Sequence, residues 1–425
     1  AAVSIENAQL FEEVSNSRGY NESILRSMSN GVITLDAESR VSKINESARR
    51  ILKRSDDETV GRTVHEIFGD SNRWVMKSLD RVIGTGMIDS TVDANLQMDG
   101  NEVVSVNLTA VPLRDMRDDR IGSMLILEDL TREKRLRNTM SRYMSKAVVD
   151  QLLDKGDAVL GGTGREVSVL FSDIRGFTAL SERLGARETV AMLNEYFTDM
   201  VDVVYEHNGI LDKYIGDMIM AVFGSVLASE EDADNAVTVG SRMLVALRDL
   251  NSRRLTGGHE PIRIGVGIST GYCVAGNIGS PKRLEYTVIG DRVNLAERLQ
   301  NANKYYGTSV LICQPTAARL KRSVKIRELD LIRVRGINAP VSIFEVLDHH
   351  TASSFPNLDV VLPAFKEGLV HYRQRSWDQA AKFFSEALSA CPGDRPSRIY
   401  LERCETYRTD PPIASWDGVS VVQNI

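Results

Sequence analysis

Val167-Ser-Val-Leu-Phe-Ser-Asp-Ile-Arg-Gly-Phe-Thr178 reads as a strand running into the start of a helix. Val167, Val169, Phe171 and Asp173 share one strand face by the two-residue period, so an apolar run ends in a carboxylate. Gly176 lets the backbone turn its amides toward an anion, and the helix N-terminus at Phe177-Thr178 adds partial positive charge. Outward from here, Val190, Leu193, Phe197, Met200 and Val204 follow a helical period, with Gly209 expected as the C-cap. A hairpin follows, 210–214 and 218–223, turning at Ile215-Gly216-Asp217, then a helix over about 231–250 and a strand over 262–269. Long helices alternate with strands, yet a hairpin sits among them, which points to an α+β sheet rather than a doubly wound parallel one.

Asp173 and Asp217 therefore stand at a strand end and at a hairpin tip. A carboxylate desolvated in such a place needs a cation or donors. Two that converge can hold a pair of magnesium ions about 3.5–4 Å apart, the arrangement for in-line phosphoryl displacement. The alternative is ordinary capping or salt bridging.

The rest of the 425 residues divides by pattern into about three domains. Residues 1–17 suit a short amphipathic helix, expected as the exit helix of an upstream domain cut away, and resemble the closing helix of a GAF domain. Residues 18–130 carry short alternating strands: Gly31-Val-Ile-Thr-Leu-Asp36 and Val41-Ser-Lys-Ile-Asn45 flank a polar turn, Asn45 is placed to cap a helix over 46–52, and runs at 91–98, 103–111 and 121–127 follow. Ending in Glu128-Asp-Leu-Thr-Arg-Glu-Lys134, this order resembles a PAS domain. It has no cysteine for a flavin adduct, and its one histidine, His65, is either a haem ligand or an ordinary half-exposed residue. Residues 131–160 form a linker in which Leu136, Met140, Met144, Val148 and Leu152 fit either a signalling helix paired with its twin or a helix packed on its own domain. Gly161, Gly162 and Gly164 lack the lysine of a phosphate-binding P-loop and are expected as a hinge. In the tail (358–410), Phe365, Gly368-Leu369, Tyr372, Trp377, Ala380-Ala381, Phe384, Ala387-Leu388 and Pro392 resemble one tetratricopeptide repeat, which must dock on the catalytic body or on a partner.

Composition narrows the classes. A formal charge of −6 with 52 basic and 58 acidic residues carries no signal for nucleic-acid binding. No apolar run approaches the 18 residues of a membrane span. The four cysteines form no C-x-x-C pair, which argues against zinc and for reduced thiols in a cytosol, so the expected location is cytoplasmic.

Taken together, Phe171-Ser-Asp-Ile-Arg-Gly-Phe-Thr178, Lys213-Tyr-Ile-Gly-Asp217 and Glu285-Tyr-Thr-Val-Ile-Gly-Asp-Arg-Val-Asn-Leu-Ala-Glu-Arg298 resemble a class III nucleotidyl cyclase catalytic domain over 161–350. The resemblance implies a ferredoxin-like βαββαβ core and a site shared between two catalytic domains. It makes Asp173 and Asp217, with the Ile174 carbonyl, the ligands of two Mg2+ ions per site, with Mn2+ as a substitute. Lys213 would donate to the adenine ring, and Thr287, where many adenylyl cyclases have aspartate, would accept from the exocyclic amine. Gly176, Phe177 and Thr178 would meet the substrate at the turn. Asn294 would orient the ribose and Arg298 would stabilise the α-phosphate. Arg335 stands where relatives have lysine for the triphosphate. Guanylyl cyclases have glutamate and cysteine in the purine pocket, neither of which is present, so the implied reaction is ATP to 3′,5′-cyclic AMP and pyrophosphate under upstream sensory control. One complete set of both half-sites implies a homodimer with two composite sites. The threonine subtype includes cyclases stimulated by bicarbonate, which makes it a candidate activator. The competing expectation is a silent nucleotide-binding module, which should have lost an aspartate or Arg298. A diguanylate cyclase lacks its Gly-Gly-Asp/Glu-Glu-Phe signature here.

Overall fold

The computed structural model describes residues 2–98, 100, 102–132, 134, 161–280, 282–333 and 339–421. The linker positions from Leu136 to Leu152 lie outside them, as does Arg335. The chain divides into two compact units, Ala1–Arg142 and Tyr143–Ile425.

In the first unit, helix α1 (Ala2–Ser27) leads to β1 (Gly31–Leu35) and β2 (Val41–Ile44). Four helices follow, α2 (Glu46–Leu52), α3 (Asp56–Thr59), α4 (Val64–Phe68) and α5 (Arg73–Thr85), then β3 (Asp89–Gln97), β4 (Val103–Arg114) and β5 (Arg120–Asp129). The expected break at residue 17 is absent, and one helix carries through to Ser27. The sheet order is β2-β1-β5-β4-β3, antiparallel throughout. Asn45 caps α2 by accepting from the Ala48 amide at 2.9 Å, and its side-chain amide also donates to Leu25 O and Asn30 O. One polar residue thus ties the end of α1 to the sheet. Val75, Leu79 and Val82 turn one face of α5 onto Leu96, Leu108 and Leu125. His65 stays outside this core, exposed, with Nε2 3.6 Å from Asp70 Oδ1.

The second unit opens with β6 (Gly161–Ile174), α6 (Phe177–Glu206), β7 (Ile210–Ile215), β8 (Met218–Phe223), α7 (Asp232–Thr256) and β9 (Ile264–Ser280). Their spatial order, β9-β6-β8-β7, is the fourth-first-third-second arrangement of a βαββαβ core. Then come β10 (Arg283–Ile289), α8 (Asp291–Tyr306), β11 (Val310–Cys313), α9 (Gln314–Ala317), β12 (Ile326–Arg333) and β13 (Val341–Val346). Strand alternation builds two cores. Leu170 and Ile174 of β6, with Val310 and Ile312 of β11, face α6 and α7. Val167, Val169 and Phe171 face Ala296 of α8, while Leu311 and Cys313 meet Leu295 and Leu299.

The expected glycine hinge is a strand. Gly161, Gly162 and Gly164 pair with β9 at Asn277, Gly276 and Val274. The side chains of Val274 and Tyr272 lie where a Cβ on Gly162 or Gly164 would be, so these glycines let β9 side chains cross β6. The end of α6 also differs: Asn208, not Gly209, is left-handed (φ 59°), and Gly209 instead admits Val204 and Phe223.

The tail forms α10 (Leu358–Arg373), α11 (Trp377–Ala390), α12 (Arg395–Thr409) and the short β14 (Ser420–Val421), which adds to β12. Phe365, Leu369, Tyr372, Phe384 and Tyr400 share one core with Tyr306, Leu329, Ile332 and Ile343. Beneath it lie two buried ion clusters: Arg327 with Glu345 and Asp394 (2.7 Å each), and Asp330 with Arg403 (2.8 Å) and the Tyr306 hydroxyl (2.7 Å).

Candidate functional site

The apolar face of β6 delivers Asp173 to the strand end, and the tight β7–β8 turn, with Gly216 at φ 66°, places Asp217 beside it. The Ile174 amide donates to Asp217 Oδ2 at 3.2 Å. Burial and the hydrogen-bonded Asp217 carboxylate push the Asp173 carboxyl up to about 7, against the pull of the Ile174 amide and Arg175. Two carboxylates held this close, together with backbone oxygen at the strand end, form an oxygen-only set that fits a hard divalent cation. Past them Gly176 is left-handed (φ 71°) and starts α6 with Phe177 and Thr178 in its first turn. Arg175 turns away: its guanidinium donates to Thr308 O (2.5 Å) and Ile264 O (3.4 Å).

A second group forms where β10 meets β7. Asp212, its side chain only 3% exposed, accepts from the Thr287 hydroxyl at 2.8 and 3.0 Å and lies 3.5 Å from Lys213 Nζ. Burial raises the Asp212 carboxyl pKa, and Thr287 and Lys213 oppose the shift. Lys213 also donates to Glu285 at 2.8 Å. The hydroxyl proton of Thr287 is therefore committed to Asp212, which leaves its oxygen lone pairs for any ligand. Sequence reasoning missed Asp212 and Glu285. Their signal was a carboxylate beside Lys213 and another two residues before Thr287, on strands whose contact only the tertiary fold makes.

Asn294 and Arg298 stand one turn apart on α8, Asn294 exposed and Arg298 half-buried. Among the described residues Arg298 has no carboxylate partner. Among the described residues, no hydrogen bond or ion pair joins the aspartate pair, the Lys213–Thr287 pair and the α8 pair to one another, so within one chain they stand as three separate clusters.

A five-stranded antiparallel unit ahead of a βαββαβ unit with paired aspartates has the architecture of a PAS fold followed by a class III cyclase domain. Comparison with known families agrees: residues 25–135 match the PAS fold, and residues 162–347 match the adenylate and guanylate cyclase catalytic domain. The chain is similar to the terminal-differentiation-specific adenylate cyclase of Dictyostelium discoideum, 32% identical over 59% of this chain and 12% of that protein. It is similar to the adenylate cyclase of Anabaena cylindrica, 37% identical over 43% of this chain and 37% of that protein. These curated relatives are thus much longer than the region matched. The crystal structure of the adenylyl cyclase CyaB from P. aeruginosa is 36% identical over 45% of this chain and 98% of that chain, with a TM-score of 0.42. Among the described residues, no helix is long and apolar enough to cross a membrane, and the four cysteines are free and buried.

Proposed function

We propose that this chain is an adenylyl cyclase that converts ATP to 3′,5′-cyclic AMP and pyrophosphate. The observation that carries the choice of base is the Thr287–Asp212 hydrogen bond. With its proton held by Asp212, Thr287 can only accept, which suits the exocyclic amine of adenine and repels the carbonyl of guanine. Lys213 would leave Glu285 and donate to the purine ring. Asn294 would orient the ribose, and the amides of Gly176, Phe177 and Thr178 would meet phosphate oxygens. The ribose 3′-oxygen would attack the α-phosphate in line and expel pyrophosphate, while Arg298 and Arg335 meet the growing charge. Asp173, Asp217 and the Ile174 carbonyl would hold two Mg2+ ions per site, with Mn2+ as a substitute. When bound, such ions acidify the 3′-hydroxyl and neutralise the triphosphate.

The working unit is a homodimer with composite sites. Its support is an exposed apolar patch on the face that carries Thr287: Ile289 pairs directly with Val274, and Tyr272 continues the same side of β9. The PAS fold supplies sensory control in a cytosolic setting. Helices α10 and α11 form a tetratricopeptide-like pair, in which Gly368 seats the Phe384 ring. Retention of both aspartates and Arg298 argues against a silent module.

Purified protein with ATP or GTP and Mg2+ or Mn2+ should form cyclic AMP, and Asp173→Ala should not. No cyclic AMP under any of these conditions sinks the proposal, and preference for GTP sinks the base assignment. Mixing Asp173→Ala with Lys213→Ala should restore activity if sites are shared. Mixed dimers that stay inactive would exclude composite sites. Bicarbonate at constant pH, added to the same assay, tests its role as an activator.

A further inference from the structure

A second cavity of about 780 Å³ opens at the end of the sheet, bounded by the 173–176 segment, the C-terminal part of α7, the start of β11 and the His349-His350 stretch leading into the tail. Its volume falls in the range of small-molecule sites. It shares Asp173, Ile174 and Gly176 with the proposed cyclase site, whereas Lys213, Asp217, Thr287, Asn294 and Arg298 do not line it. Its charge is one-sided. Arg175, Arg248, Arg263, Lys304 and Arg395 face it, and Asp173 is the only carboxylate among the described lining residues. Arg263, Lys304 and Arg395 have no acidic partner among the described residues.

Two deeply buried polar side chains that line the cavity have unpartnered atoms among the described residues. His349 is 6% exposed, and neither ring nitrogen has a hydrogen bond; Gln300 is 5% exposed, and its Oε1 has none. Burial and the neighbouring His350 and Arg248 push the His349 imidazole down to about 3, so it is neutral at physiological pH and keeps one N–H to donate. Buried polar groups are rarely left unmade, and each such group costs stability until a ligand or water meets it.

We propose that this cavity binds the phosphoryl group of a small hydroxylated phosphate ester. Arg263, Arg395 and Lys304 would hold the anion at the rim, the His349 N–H would donate to it deeper in, and Gln300 Oε1 would accept from a ligand hydroxyl. Arg395 opens α12, and His349 lies between the catalytic fold and α10, so the site joins the tail to the end of β6 that carries Asp173. It does not depend on the cyclase reading, because its readout is binding alone.

The test is calorimetric titration of the full chain with inorganic phosphate and with glycerol 3-phosphate at constant ionic strength. Saturable binding is expected. The exposed triple variant Arg263→Gln/Lys304→Gln/Arg395→Gln should weaken it by about tenfold or more while keeping the wild-type Tm. Arg298→Ala should bind like wild type. Tighter binding of the ester than of the free ion identifies an organic phosphate as the occupant, and equal binding identifies inorganic phosphate held by the basic rim. Absence of saturable binding of either probe overturns the site. So does wild-type affinity in the triple variant, or loss of binding in Arg298→Ala, which would assign the phosphate to the substrate cleft.

Discussion

Asp173 pays for its position with stability. Its folded pKa of about 7 lies above the ordinary 3.8, so the metal-free fold favours the protonated form, and stability falls as pH rises through the interval between those values. Asp173→Asn should therefore raise the Tm of metal-free protein at pH 8, with the gain shrinking toward pH 4 as the wild-type carboxyl takes up its proton. The same substitution should lower cyclic nucleotide formation on the order of a hundredfold or more. Added Mg2+ should raise the Tm of wild type and leave Asp173→Asn unchanged; thermal melts with and without chelator check both. Asp212 offers a second residue-scale test. In Asp212→Ala the Thr287 hydroxyl is free to turn and donate, so preference for ATP over GTP should fall roughly tenfold. Unchanged kcat/KM ratios for the two nucleotides would remove Asp212 from base selection.

At the scale of elements, the approach of α8 to β9 sets where Asn294 and Arg298 stand. A Cβ at Gly267 would overlap the backbone of Ala296 and Gln300, so the helix itself would have to move. At Gly164 the obstacle is the outer part of Tyr272, a side chain 71% exposed and free to swing away. Gly267→Ala should accordingly cost about 3 kcal/mol or more and abolish activity, while Gly164→Ala should cost under about 1 kcal/mol. Urea unfolding of the two variants compares them, and equal losses would show that α8 yields as easily as one tyrosine. Much of this level was legible in advance. The two-residue period of β6 and the cap at Asn45 are local features, and both stand in the structure. The hinge expected at Gly161, Gly162 and Gly164 is a strand: local propensity treats glycine as a breaker, whereas here it makes room for side chains from a strand more than 100 residues away in sequence.

At the scale of the whole molecule, the tail is part of the same compact unit as the βαββαβ core. Ending the chain after Asp348 would expose Tyr306, Leu329 and Ile332 and leave Arg327 without Asp394. That truncation should aggregate or melt far below the full chain. Arg327→Met should destabilise by about 3–5 kcal/mol, because Glu345 and Asp394 would be left buried without their cation. Denaturant titration reads this directly, and a near-neutral result would mean that water reaches the pair.

The sequence by itself determined which chemistry is proposed. Three blocks point to the two aspartates, Lys213, Thr287 and Arg298 as the proposed site, because residues on strand ends and one helix face keep fixed neighbours along the chain. Only the tertiary structure decided what lies beside them. Asp212 holds the Thr287 proton across two strands 75 residues apart in sequence, and Arg175, Arg263 and Arg395 converge on one cavity from distant elements. Hydrogen bonds and electrostatic fields act through space over a few ångströms, and a linear pattern does not contain those distances until the sheet has been folded and the tail docked.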